Sequence, residues 1–327
     1  MRQLILGILG TIYCMGTYSA VVAVPTKLLP KEPASKVWQP TGKSYTGDRI
    51  LAVTVPKCGT FMLLKCLTLL GVPTLYKEIG IPKQDIDYIR KHNQLLPPNH
   101  YKGRYHMPTA GPVPHWWIQR VMAKAPHRFS WTHVSHTPEF EQYIDENSKA
   151  MLMIIRDPRD MLVSFAHMVQ TNKRNPADTI ALEPLLLDLI DGRQKNYITW
   201  ATEIHDAYPV IWEMGICAYY RQFLPFINCK KCLTIRFEEL VGTLGGGTDA
   251  AQCATIKRIA KHVGRPISDD KVATVAAQLF GNSATFREGK IGSWVQYFTP
   301  QVKAAFKATP GATELLIELG YEKDNSW

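Results

Sequence analysis

Short apolar runs alternate with longer amphipathic stretches along this chain. Ile50 to Val55 is mostly apolar and rich in β-branched residues, the composition of a strand buried on both faces. Phe61 to Leu70 is apolar for longer, with Leu64, Leu67 and Thr68 at helical spacing, so a helix is expected there. Phe129 to His133 and Cys232 to Phe237 have the length of short strands, and Ala150 to Ile155 gives the strongest second strand signal. Met161 to Val169, Ala254 to Val263 and Asp270 to Phe280 have the pattern of helices, with Pro158 suited to a helix entry turn. Thr199 to Phe226 reads as one long helix or two, broken near Pro209. Strands alternating with helices predict an α/β fold: a central parallel β-sheet flanked by helices on both faces, with ligands at the strand ends.

Two regions break this rhythm. Gly71 to Pro114 is rich in Pro, Tyr, Asn and His, with only a short helix suggested near Asp85 to His92, so it is expected to be a functional loop region. At the other extreme, Leu4 to Val24 is uncharged and follows Arg2, long enough to cross a bilayer as a helix. The expectation is a single-pass N-terminal membrane anchor within residues 1–27, and hence membrane association through residues 4–24. A cleaved secretory signal, with Ser19, Ala20 and Ala23 near the cut, or a buried N-terminal helix are the alternatives. Residues 28–45 have the composition of an exposed linker. One domain of residues 46–327 follows.

The chain has 327 residues, enough for a large core, and a formal net charge of +10, which favours anionic ligands. No long Lys/Arg run, zinc-finger pattern or RNA-binding motif appears, so nucleic acid is not an expected partner. The seven cysteines, an odd number with Cys58 and Cys66 near one loop, argue against a disulfide scaffold. Cys229-Lys230-Lys231-Cys232 has CxxC spacing but neither a second pair nor a histidine close in sequence, so simple loop cysteines are expected rather than zinc or a redox pair.

The most informative segment is Pro56-Lys57-Cys58-Gly59-Thr60, a turn between the first strand and first helix. A helix start aims backbone N–H groups and the positive end of the helix dipole at whatever lies over the turn. Gly59 permits close approach, Thr60 offers a hydroxyl and Lys57 a positive charge. An anion site is one reading; an ordinary strand-to-helix connection with a solvated lysine is the other. The nucleotide-triphosphate loop GxxxxGK[ST] is absent, because the lysine precedes the glycine.

Three segments, VPKCGTF, MIIRDPRDMLVSF and FREGKIGSWVQYFT, occur in one order over Val55 to Thr299. Together they resemble the signatures of the sulfotransferases that use 3′-phosphoadenosine 5′-phosphosulfate (PAPS), a family with a P-loop-like fold. The resemblance implies that Lys57, Cys58, Gly59, Thr60 and Phe61 hold the 5′-phosphosulfate. It implies that Arg156 and Ser164 hold the 3′-phosphate, with Arg287, Glu288 and Gly289 closing over it. Phe237, after the third strand, joins the donor-binding set. The family's catalytic histidine falls in WTHVSHTPEF and matches His133, with His136 as the competing candidate.

The implied reaction is in-line transfer of a sulfuryl group to a hydroxyl or amine, releasing 3′-phosphoadenosine 5′-phosphate (PAP). His133 serves as base and Lys57 stabilises the leaving phosphate. No metal is expected to be required, since protein cations neutralise the phosphates and no carboxylate set resembles a magnesium cage. The acceptor is expected to be a small molecule, lipid or carbohydrate. Trp116 and Trp117, with His106 and His115, are candidates for lining its pocket. Departures from the family's PKSGTTW loop are Cys58, Phe61 and Met62; Trp131, Phe237, Glu288 and Ser293 also replace common residues. A catalytically weakened nucleotide-binding or scaffold relative, and a P-loop kinase-like enzyme, are the alternative readings.

Overall fold

The computed structural model describes residues 48–79, 104–107, 111–123, 129–171, 181–192, 211–281 and 286–327. Its frame is a five-stranded sheet ordered β2-β5-β1-β6-β7. The strands are β1 (Ile50–Thr54), β2 (Thr74–Glu78), β5 (Phe129–Thr132), β6 (Ala150–Ile155) and β7 (Cys232–Arg236). Every pairing in this sheet is parallel. β3 (Arg104–Met107) and β4 (Gly111–Pro114) form a separate antiparallel pair.

The side-chain period of two sorts each central strand onto two cores. Leu51, Val53, Met151, Met153 and Ile155 face one core, formed with α3 (Pro138–Asn147), α4 (Pro158–Thr171), α5 (Leu182–Asp191), α6 (Ile211–Arg221), α10 (Pro300–Ala308) and α11 (Ala312–Glu318). Ile50, Ala52, Ala150, Leu152 and Ile154 face the other, with α1 (Thr60–Leu69), α8 (Asp249–His262) and α9 (Asp269–Leu279). The one-turn α7 (Phe237–Leu240) follows β7 directly, and α2 (His115–Ala123) follows β4. β1 and β6 are buried along their whole length, which explains why their sequences are apolar without alternation. The expected parallel sheet with helices on both faces is present.

Two expectations need correction. The Gly71–Pro114 region is not purely loop: β2, β3 and β4 lie within it, although the suggested helix at 85–92 lies outside the described residues. These strands are only four or five residues long; β2 (TLYKE) and β3 (RYHM) mix charged and apolar residues, and β4 (GPVP) carries Gly and Pro, so no clear apolar run marks them. The membrane-anchor reading, with its membrane association and single-pass location, is also corrected. Among the described residues no helix is long and apolar enough to cross a membrane. The longest, α4 and α8, have 14 residues each, or about 21 Å against a hydrocarbon core of about 30 Å. Residues 4–24, on which that reading rested, lie outside the described residues. The expected break at Pro209 also lies outside them; within α6 the helical dihedrals fail instead at Gly215, with φ 73° and ψ 162°.

Candidate functional site

In a parallel sheet the strand ends point the same way, and here four adjacent ends deliver the candidate residues. β1 runs into Lys57, β5 into His133, β6 into Arg156 and β7 into Phe237. The turn after β1 is tightly folded. Lys57 has φ 67°, the single positive φ outside glycine among the described residues, and Gly59 has φ 103°. A left-handed lysine is a sparsely populated conformation, of the kind that concentrates at functional sites. A Cβ at Gly59 would stand 2.7 Å from Cδ2 of Phe237, so glycine is required by both dihedral and space.

Helix α1 starts at this turn with no side-chain cap and no acidic residue in its first turn. Its first intrahelical bond is donated by the Leu63 N–H to the Gly59 carbonyl, leaving the N–H groups of Thr60, Phe61 and Met62 without helical acceptors. Cys58 contributes differently than its motif position implies. Its side chain is fully buried, its thiol points at the Tyr220 hydroxyl 3.9 Å away, and its N–H is donated to the Val55 carbonyl. Burial pushes the thiol well above its ordinary pKa, so it is no thiolate.

Three cations face this turn. Burial, and then the charges of Arg156 and Arg287, lower the Lys57 pKa to about 8. Arg156 is buried, with its guanidinium 4.3 Å over the Phe237 ring. Its Nη2 donates to the Lys290 carbonyl at 2.6 Å and pairs with Asp160 at 3.4 Å, while its Nε has no partner among the described residues. Arg287 is half-buried, paired with Glu288, and donates to the Tyr297 hydroxyl at 3.3 Å. Gly289 has φ 64° and lies against Phe286 and Phe280, leaving no room for a Cβ. Ser164 is half-buried on α4, one helical turn beyond Asp160 on the same face.

His133 stands beside Lys57, which helps to lower its pKa to about 4, though burial is the larger cause. Its Nδ1 lies 2.7 Å from the Thr54 carbonyl and 3.1 Å from the Thr54 hydroxyl, which in turn accepts from Thr60 at 2.9 Å. A carbonyl only accepts, so Nδ1 is assigned the proton and Nε2 is the basic nitrogen of a neutral ring. Trp131 packs edge-on against both His133 and Phe61, with ring centroids 5.3 and 5.8 Å apart. Phe61 thus supports the aromatic wall beside the histidine. His136, the rival base, faces elsewhere: its Nε2 meets Glu141 at 2.7 Å and its ring meets Phe226.

Sequence reasoning missed several positioning residues. Asp160 is buried and accepts from the Gly292 N–H, the Ser293 hydroxyl and the Trp294 N–H at 2.9, 3.1 and 2.8 Å. It therefore fastens the C-terminal turn to the Arg156 segment instead of capping α4; Asp157 does the capping, accepting from the Arg159 N–H at 2.9 Å. Tyr220 accepts from the Arg156 N–H at 3.1 Å and donates to its carbonyl at 2.8 Å. Thr54, a polar residue closing the first apolar strand, is the one signal that could have pointed to a residue of this kind. Of the suggested acceptor-side aromatics, Trp117 packs half-buried against the larger core, while the side chains of His106, His115 and Trp116 lie outside the described set.

The sulfotransferase domain family matches residues 47–312. The chain belongs to that family. A curated relative, Sulfotransferase 6B1 of Danio rerio, is 20% identical over 294 residues, covering 84% of this chain and 82% of its own. Among solved structures, a mouse sulfotransferase SULT7A1 complexed with PAP is similar at 18% identity and a TM-score of 0.49, over 85% of this chain and 86% of that one. A retinol dehydratase in complex with androsterone and inactive cofactor PAP is similar at 15% identity and a TM-score of 0.48, over 85% and 81% respectively.

Proposed function

We propose that this sulfotransferase-family chain uses PAPS as sulfuryl donor to a hydroxyl or amine acceptor. Residues 46–327 form the catalytic domain, preceded by a linker at 28–45. The acceptor oxygen or nitrogen attacks sulfur while its proton passes to Nε2 of His133. The bond from sulfur to the bridging oxygen breaks, its electron pair stays on the 5′-phosphate, and Lys57 meets the growing charge. The N–H groups of Thr60, Phe61 and Met62, which have no helical acceptor, and the turn at Gly59 take the 5′-phosphate. Arg156, Ser164, Arg287 and the backbone at Gly289 take the 3′-phosphate, for which planar guanidinium forks are suited. Cys58 and Phe237 shape this site by packing, and Glu288 orients Arg287.

The observation that carries this reading is the convergence of Lys57, Arg156 and Arg287 on one turn beside a histidine whose Nδ1 is held by a main-chain carbonyl. Protein cations supply the neutralisation, so donor binding proceeds without magnesium. Calorimetry tests the donor class: PAP binds in chelator-treated buffer, and ATP with magnesium binds more weakly. A preference for ATP with magnesium would overturn the reading in favour of a kinase-like enzyme.

A further inference from the structure

His136, Glu141 and Cys229 stand together on the larger core's side of the fold, on three different segments. His136 belongs to the extended stretch between β5 and α3, Glu141 to the first turn of α3, and Cys229 to the turn before β7. Their donor atoms, one imidazole nitrogen, one carboxylate oxygen and one sulfur, all lie within 4.8 Å of one another. Cys229 is buried, while His136 and Glu141 keep side-chain exposures of 14% and 34%. Linear order does not reveal this group: Cys229 and His136 are 93 residues apart and meet only through the fold.

We propose that these three side chains bind one zinc ion, with water in the fourth position. Mixed nitrogen, oxygen and sulfur donors suit a borderline-soft tetrahedral cation better than calcium or magnesium, which take oxygen donors. Zinc bond lengths of about 2.0–2.3 Å set donor separations of roughly 3.3–3.8 Å, so the His136–Glu141 pair, 2.7 Å apart, gives up its hydrogen bond and opens by about 0.6 Å, and a pair at the 4.8 Å limit closes by about 1 Å. The partial exposure of Glu141 and His136 gives the water its place. Of the neighbouring lysines, Lys231 is held by the Asp145 and Ser148 carbonyls and Lys230 is solvent-exposed, so its charge is screened by water. The ion would tie the stretch carrying His133, three residues before His136, to α3 and to the turn entering β7. It acts as a brace beside the reaction centre and takes no part in sulfuryl transfer.

The full-length chain, stripped with chelator and then dialysed against buffer containing zinc, should retain about one zinc per chain by elemental analysis. Cys229→Ser and His136→Ala should lower zinc affinity by at least tenfold, and Glu141→Gln by a similar factor. Loading with cobalt(II) instead should give the near-ultraviolet thiolate charge-transfer band, lost in C229S while circular dichroism stays unchanged. Cys232→Ser should keep both the zinc and the band, because its thiol is outside the donor group. Retention of zinc by C229S, cobalt binding without a thiolate band, loss of the metal in C232S, or a Cys229–Cys232 disulfide in the zinc-treated protein would each overturn the proposal. None of these readouts depends on sulfotransferase activity.

Discussion

The proposed mechanism makes opposite demands of Lys57 and His133: one must stay charged and the other neutral. The same burial penalises the charged form of each, which keeps the histidine neutral and works against the charge on the lysine. His133, lowered to about 4, is neutral throughout the physiological range. Lys57, lowered to about 8, is charged below that value and loses its proton as pH rises through it. In the free enzyme, kcat/KM should therefore fall on the alkaline side with a midpoint near pH 8. Lys57→Arg, whose guanidinium does not deprotonate in this range, should remove that limb even if its plateau is lower. An alkaline limb unmoved by K57R would mean that another group titrates. The adjoining Gly59 makes a stability prediction. Gly59→Ala demands φ 103° of an alanine and puts its Cβ 2.7 Å from Phe237, which should lower unfolding free energy by about 1–3 kcal/mol in urea titration. A wild-type midpoint would show that the turn relaxes freely.

At the scale of elements, the site depends on tying a late segment to an early one. The buried Asp160 of α4 accepts three hydrogen bonds from the turn at Gly292, Ser293 and Trp294. Through the same carboxylate it also pairs with Arg156. Removing it leaves several donors unsatisfied, at about 1–3 kcal/mol each. Asp160→Ala should weaken PAP binding at least tenfold, and amide exchange at Gly292 and Trp294 should accelerate; native-like protection there would place the fastening elsewhere. This contact also marks where sequence reading stopped. The placement of Lys57, Gly59 and Arg156 was legible because it comes from a local strand-end geometry that a few adjacent residues specify. The role of Asp160 was not legible, because its partners lie more than 130 residues away. Cys58 was assigned to the ligand from its place in the motif, while packing turns its thiol to Tyr220.

On the scale of the whole molecule, the parallel sheet explains why residues from distant segments form one site. The apolar runs of β1 and β6 announced a buried sheet, and the helices between strands announced its two covered faces. The edge strand β2 and the β3–β4 pair escaped notice because β2 and β3 are short and carry charged residues, while Gly and Pro fill most of β4, so no apolar run stood out. In the proposed site PAP bridges the strand ends and the C-terminal turn, so it should bind the folded chain alone. At a hundredfold excess over its Kd it should stabilise the protein by about 2.7 kcal/mol, with no added effect of magnesium. The central claim is that His133 removes the acceptor's proton while contributing little to donor binding. It is tested most directly by single-turnover sulfuryl transfer from labelled PAPS, with the best acceptor from a library of alcohols, phenols and amines, in wild-type protein and His133→Ala. The account predicts a rate lowered by about 10²–10⁴-fold with PAP affinity nearly unchanged; a near-wild-type rate in H133A would contradict it.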